Sequence, residues 1–204
     1  MLVFNLKGIL LIASLIIAIP TSAADCFSDS PSKKNGTLGE IEAHISKLSA
    51  SQTKDINNLF NSFRGKWNGI AEYLSCQGNK ASPKKGYASF NLKGKVEAKK
   101  NNLRINAELK ALESNRTKPI NLRISIADQF LRHNSESKKG DIEIISIKKN
   151  LIHYLKKYRG TAGSAETIEE QVVILRKVKS EYVLEQRHYK AGEMFGKEVW
   201  VFRK

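Results

Sequence analysis

From Trp67 to the C-terminus, apolar and polar residues alternate with a period of two in one short segment after another. A β-strand places successive side chains on opposite faces, so this pattern is typical of a sheet with one dry and one wet face. Such faces favour antiparallel pairing, because parallel strands are usually buried on both sides. The alternating segments are residues 67–74, 87–98, 103–110, 120–126, 141–148, 151–158, 167–178, 182–189 and 195–203.

Nine strands joined by short connections are roughly what a small closed barrel needs. We therefore predict a mainly β fold: a single antiparallel up-and-down β-barrel over residues 63–204, in which the first strand pairs with the last. The polar residues 127–139 are predicted to form a loop at the barrel mouth, and residues 160–165 a glycine-rich connection.

Helical spacing is confined to the region before the strands. Apolar residues from Leu38 to Leu48 predict one short amphipathic helix, and those from Ile56 to Phe63 predict a second, which Gly65 ends. Short helices are marginal alone, so we expect these to plug or flank the sheet, with a membrane-binding arm as the alternative. Residues 25–62 are thus a predicted N-terminal extension, a short helical arm whose residues 25–36 form an exposed, turn-rich start.

Residues 1–24 are typical of a secretory signal peptide. Lys7 provides the positive start, residues 8–19 are an apolar run, Pro20 breaks it, and small residues follow at 22–24. A membrane-spanning helix needs roughly 20 apolar residues, so a cleaved signal is favoured over an anchor. We expect an exported protein, periplasmic or secreted.

Export changes the interpretation of the two cysteines, Cys26 and Cys76. An even number of cysteines in an oxidising compartment predicts a disulfide, with two unpaired thiols as the alternative. The bridge would tie the mature N-terminus to the far end of the first strand. Two cysteines without a nearby histidine pair do not predict a zinc site.

The first and last strands carry a recognisable set of residues. Phe63, Gly65, Trp67 and Gly69 open the first strand, and Arg203 follows an aromatic last strand. In this respect the sequence resembles the calycins, the lipocalin-like barrels that carry small apolar ligands. The resemblance implies that Trp67 packs across the closed end of the barrel against Arg203. A half-open barrel of the kind used by periplasmic lipoprotein carriers is an alternative that accounts for the same tryptophan.

Catalytic and cofactor motifs are not recognisable in the sequence. There is no phosphate-binding loop, dinucleotide fingerprint or nucleophile elbow. The four histidines are scattered without metal-ligand spacing, and no pair of carboxylates is placed for acid–base work. We therefore predict no catalytic residue, no metal, no cofactor and no enzymatic activity.

The leading hypothesis is a carrier that holds a small hydrophobic or amphiphilic ligand inside its barrel. The predicted interior residues are Phe90, Leu92, Ile105, Ala107, Leu122 and Ile124. The alternative is a packed barrel without a ligand that docks on an anionic membrane, a lipopolysaccharide surface or a host partner, because the chain has a net charge of +15. Export disfavours nucleic acid as the partner, and we expect a monomer.

Overall fold

The computed structural model describes residues 26–34, 37–38, 47–112, 114, 116–134, 142–162 and 165–204. Within them lie one helix, α1 (Ala50–Phe63), and twelve strands. The strands are β1 (Lys33–Lys34), β2 (Thr37–Leu38), β3 (Gly65–Asn79), β4 (Ser82–Lys99), β5 (Asn102–Ala111), β6 (Thr117–Ala127), β7 (Phe130–His133), β8 (Ile142–Lys148), β9 (Leu151–Ala162), β10 (Ala165–Val178), β11 (Glu181–Lys190) and β12 (Glu193–Arg203). The predicted signal peptide, residues 1–24, lies outside the described residues.

Ten of these strands form one antiparallel sheet in the order β7-β6-β5-β4-β3-β12-β11-β10-β9-β8. The sheet curls into a nearly closed barrel, which confirms the predicted mainly β, antiparallel architecture. The first long strand pairs with the last as predicted: Asn68 of β3 lies opposite Arg203 of β12. The two edge strands of the sheet are β7 and β8.

The junction of β3 and β12 explains the second glycine of the Gly-x-Trp-x-Gly segment. A Cβ atom on Gly69 would lie 1.8 Å from the Val201 carbonyl oxygen, so any larger residue would push the two strands apart. The glycine therefore allows the close backbone approach on which the pairing of first and last strands depends.

Helix α1 plugs one end of the barrel, which we call the capped end. Ser49 and Gln52 form a capping box that starts the helix. Its apolar side is buried, with Ile56, Phe60 and Phe63 at 0% exposure. The helix packs against β4 and β5 on one wall and β8 and β9 on the other. It therefore fills the interior at this end, and the second predicted helix is confirmed as a plug with its apolar side turned away from solvent.

The predicted mouth loop at residues 127–139 is wrong over residues 127–134, and residues 135–139 lie outside the described residues. Asp128 and Gln129 both have positive φ and make a tight turn, after which β7 pairs back onto β6. Phe130, Leu131 and His133 are buried at the capped end of the barrel. The tenth strand escaped prediction because its turn has no glycine and the strand is only four residues long.

Residues 26–34 are also more ordered than predicted. Cys26 is bonded to Cys76, which confirms the predicted disulfide. The Phe27 N–H donates to the Met194 carbonyl, and the Met194 N–H donates to the Ser28 carbonyl. The Ser30 hydroxyl donates to the buried Glu170 carboxylate. The segment therefore packs on the outer face of the sheet instead of forming an exposed lead-in.

Two further expectations concern the connections. Thr37–Leu38 forms a two-residue strand paired with Lys33–Lys34, where the sequence predicted the start of a helix; residues 39–46 of that helix lie outside the described residues. Strands β9 and β10 extend to Ala162 and from Ala165, so the predicted loop at residues 160–165 is shorter than expected. Among the described residues, no helix is long and apolar enough to cross a membrane.

Candidate functional site

The six predicted interior residues all lie on the inner face of the sheet, but most of them are covered. Five are at most 8% exposed and belong to the main core with the α1 side chains: Leu92, Ile105, Ala107, Leu122 and Ile124. Phe90 is partly buried and packs edge-on against Tyr73, 5.2 Å between ring centroids. The predicted lining is thus mainly packed core, and only Phe90 borders the open half of the barrel.

The open half lies at the other end of the barrel, which we call the mouth. Here the register places small residues side by side on the inner face: Gly196 lies opposite Ser75, and Ser75 opposite Gly86. The next row inward is Glu198, Tyr73 and Ala88. Gly196, Gly86 and Ala88 have no side-chain atoms beyond Cβ, so the inner face of the sheet leaves empty space at these positions.

This room is a pocket of about 380 Å³, which we call the mouth pocket. Its floor is Gly196, Ser75, Gly86 and Ala88; its walls are Tyr73, His188 and Glu198; and its rim includes Tyr87 and Phe195. The rings of His188 and Phe195 are 6.0 Å apart. The pocket therefore combines aromatic surface with a carboxylate and an imidazole.

A chain of polar side chains lines the inner face beside the mouth pocket. Gln171 Nε2 donates to Gln186 Oε1 at 2.8 Å, and Gln186 Nε2 donates to Glu198 Oε2 at 3.4 Å. His188 Nε2 lies 3.5 Å from the other Glu198 oxygen. Since the contacts to Glu198 are longer than usual charge-assisted hydrogen bonds, this carboxylate retains capacity to accept from a bound molecule.

Tyr73 brings a neutral phenol to the same wall. Burial, and then the negative charge of Glu198, raise the pKa of Tyr73 well above its usual range. Its hydroxyl and the Trp200 indole N–H are neighbours, yet neither reaches a hydrogen-bond partner in proper geometry within the described residues. This hydroxyl is fully buried, so Tyr73 lines the pocket with its other atoms.

Arg187 and Lys197 are held on the outer face of the sheet. Lys197 Nζ lies 3.3 Å and Arg187 Nη2 2.7 Å from the same Glu185 oxygen. Burial alone would raise the pKa of Glu185, but Arg187 and Lys197 outweigh burial and lower it. Lys197 borders the mouth pocket, yet its ammonium is neutralised by Glu185 and not by Glu198.

The predicted contact between Trp67 and Arg203 is wrong by one residue. Trp67 is buried and donates its indole N–H to the Phe63 carbonyl at 2.8 Å. The cation over its ring is Lys204, 5.2 Å from the ring centroid. Arg203 lies opposite Asn68, so it projects to the other face of the sheet, where it donates to Glu181 at 2.8 Å.

Sequence reasoning missed most of the mouth pocket, although a signal was present. Glu198 lies on the same face of its strand as Trp200 and Phe202, and His188 lies on the same face as Leu184 and Tyr182. A polar residue on the apolar face of an alternating strand is the signal that could have drawn attention to these two positions. Within the described residues, no group of three or more His, Cys, Asp or Glu side chains is placed to hold a metal ion.

Comparisons with known proteins assign no family to this chain. No family model matches it, and no curated protein matches it in sequence. Among solved structures, LprF from Mycobacterium bovis is 6% identical, with a TM-score of 0.26, over 78% of this chain and 94% of that one. A provisionally titled oleoyl thioesterase from Lactobacillus plantarum is 5% identical, with a TM-score of 0.19, over 76% and 83%. At such TM-scores neither title transfers to this chain.

Proposed function

We propose that this chain is an exported, non-enzymatic, lipocalin-like protein that binds a small amphiphilic molecule in its mouth pocket. The observation that carries the proposal is a pocket of about 380 Å³ on the inner face of the sheet, with aromatic and polar walls. Pockets of roughly 300–1,000 Å³ are the size that small ligands occupy. The Cys26–Cys76 disulfide agrees with an oxidising compartment outside the cytoplasm.

An amphiphile fits the pocket because its walls are of two kinds. Tyr73 and Phe195 offer aromatic surface, while His188 and Glu198 offer polar contacts to a head group. The deeper interior is an unsuitable place for the ligand, since the α1 side chains Phe60 and Phe63 already fill it. The proposed ligand therefore lies near the mouth and leaves the capped end intact.

Filling the pocket should abolish ligand binding without loss of stability. Ala88 faces the pocket from an exposed position, and we expect Ala88→Leu to weaken binding of the neutral probe N-phenyl-1-naphthylamine at least tenfold, measured by fluorescence titration. The matched control is Ser89→Leu, which adds a leucine to the next residue on the outer face and should change the affinity less than twofold. Equal losses in both variants, or no probe binding by the native protein, would contradict the proposal.

A second candidate function is docking on an anionic membrane surface, and the β3–β4 hairpin favours it. Residues 77–89 are all exposed, so the end of this hairpin projects beyond the barrel next to the mouth. It carries Lys84 and Lys85, and Tyr87 on it is 75% exposed. Each lysine near an anionic bilayer contributes about 1 kcal/mol, and tyrosine favours the interface. Docking here would bring the mouth pocket to the lipid.

Charge reversal at the hairpin should weaken vesicle binding. We expect Lys84→Glu with Lys85→Glu to lower the affinity for vesicles of phosphatidylglycerol and phosphatidylcholine at least tenfold in co-sedimentation at low salt. The control is Lys99→Glu with Lys100→Glu, the same charge change at an exposed turn of the capped end. Equal losses from the two pairs would show a general effect of net charge and would refute a docking role for the hairpin.

A further inference from the structure

The carboxylate of Glu198 is the only acid among the seven residues of the floor and walls of the mouth pocket, in a chain whose net charge is +15. Glu198 lies on the inner face between Gly196 and Trp200, and its side chain is 26% exposed. Within the described residues, its ion-pair contact is His188 at 3.5 Å, a group that is charged only when protonated. Lys197 is bound to Glu185 on the outer face. Among the residues that line the pocket, Glu198 is therefore the one carboxylate available to a positively charged head group.

The contacts that Glu198 does make leave it incompletely satisfied. A carboxylate accepts about four hydrogen bonds, whereas Glu198 receives Gln186 at 3.4 Å and faces His188 at 3.5 Å. Charge-assisted contacts are normally 2.7–2.9 Å long. A cation entering the pocket would meet a partly desolvated negative charge without first having to displace a strong ion pair.

Aromatic rings surround the same space. Tyr73 forms the wall next to Glu198, Phe195 lies 6.0 Å from the His188 ring, and the exposed Tyr87 stands at the rim. The faces of aromatic rings attract cations, and quaternary ammonium groups are recognised by aromatic walls of this kind. The floor residues Gly196, Ser75 and Gly86 are small, so the floor adds little side-chain volume to the pocket.

We propose that the mouth pocket binds the ammonium head group of a cationic or zwitterionic amphiphile, with Glu198 as the counter-ion and Tyr73 and Phe195 as the aromatic walls. This inference rests on the proposed function, because it names the head group of the same ligand. The pocket and the basic hairpin have separate roles: the hairpin lysines attract an anionic surface, whereas Glu198 in the pocket selects a positive group.

The test compares three probes that share a decyl chain and differ in the head group. They are decyltrimethylammonium, decyl maltoside and decyl sulfate, each used below its micelle concentration in competition with N-phenyl-1-naphthylamine. We expect the ammonium probe to bind at least tenfold more tightly than the other two. Equal affinities, or a preference for the sulfate, would overturn the ammonium inference while leaving amphiphile binding in place. No binding of any probe would overturn both.

The Glu198→Gln variant identifies the group responsible. Glutamine keeps the shape of the side chain and an oxygen acceptor for Gln186, and we expect it to remove the preference for the ammonium probe while changing the maltoside affinity less than twofold. The matched control is Glu72→Gln, which removes one negative charge from the exposed outer face of β3, next to Tyr73. Its probe preference should equal that of the native protein. A preference that survives Glu198→Gln, or disappears in Glu72→Gln, would refute the role of Glu198.

Discussion

Replacing Phe63 with alanine should lower the free energy of unfolding by about 3–5 kcal/mol, the cost of emptying a large aromatic site in a packed core. Phe63 is 0% exposed, at the last position of α1. Its ring stacks on Tyr182 at 4.3 Å, meets Phe202 at 4.9 Å and contacts Trp67 at 5.5 Å. These partners belong to β11, β12 and β3, so one ring ties the helix to three strands. Urea denaturation followed by circular dichroism measures the change.

Two control variants separate packing from other effects of the substitution. Phe63→Leu keeps most of the apolar volume and should cost clearly less than the alanine variant. Leu112→Ala removes apolar atoms from a residue that is 58% exposed and should change stability by about 0.5 kcal/mol or less. A loss below about 1 kcal/mol for Phe63→Ala would contradict the role of α1 as an integral plug of the barrel.

The alternation of inward and outward side chains along each strand explains how much of this fold can be predicted from the sequence. The alternation around Leu92, Ile105 and Leu122 assigns the inner face correctly, because that face is dry along the whole capped half. Pairing of the first strand with the last also follows, since an up-and-down barrel has no other way to close. Alternation does not determine whether the interior is open, because a wall covered by a helix and a wall lining a cavity need the same apolar residues.

The errors have equally local causes. The contact expected between Trp67 and Arg203 depended on a family resemblance, and the register shifts it to Lys204 because Arg203 lies opposite Asn68. One residue of register moves a side chain to the other face of the sheet. The mouth pocket was missed for a different reason. Glu198 lies on the same face of β12 as the apolar residues of that strand. This polar residue becomes part of a pocket because the register places the small residues Gly196 and Ser75 beside it.

A buried pair of side chains at the seam of the barrel, where the edge strands β7 and β8 face each other, should make the stability of the fold depend on pH. His133 of the edge strand β7 and Tyr154 of β9 are both at most 1% exposed, and His133 Nδ1 lies 2.9 Å from the Tyr154 hydroxyl. The two edge strands of the sheet, β7 and β8, do not pair with each other. The contact between His133 and Tyr154 therefore links β7 to β9, the strand next to β8. Burial, with smaller contributions from the charges of Lys156 and His188, lowers the pKa of His133 to about 3. The folded barrel therefore disfavours the protonated form of this histidine at moderate pH.

Stability should consequently fall on acidification, by up to about 1.4 kcal/mol per pH unit below pH 6.5. The folded pKa of His133 is depressed, so the unfolded chain takes up the proton first; the loss starts near the usual histidine pKa of 6.5 and levels off near 3. Between pH 6.5 and 5 we expect a loss of about 2 kcal/mol, measured by urea denaturation at each pH.

The His133→Gln variant keeps a hydrogen-bond partner for Tyr154 and should lose this pH-dependent part. His153→Gln, which removes a half-buried histidine of the same strand as Tyr154, should retain most of it, because burial lowers the pKa of His153 less than that of His133. Parallel stability curves for the native protein and His133→Gln between pH 5 and 7 would show that the seam histidine does not govern the response.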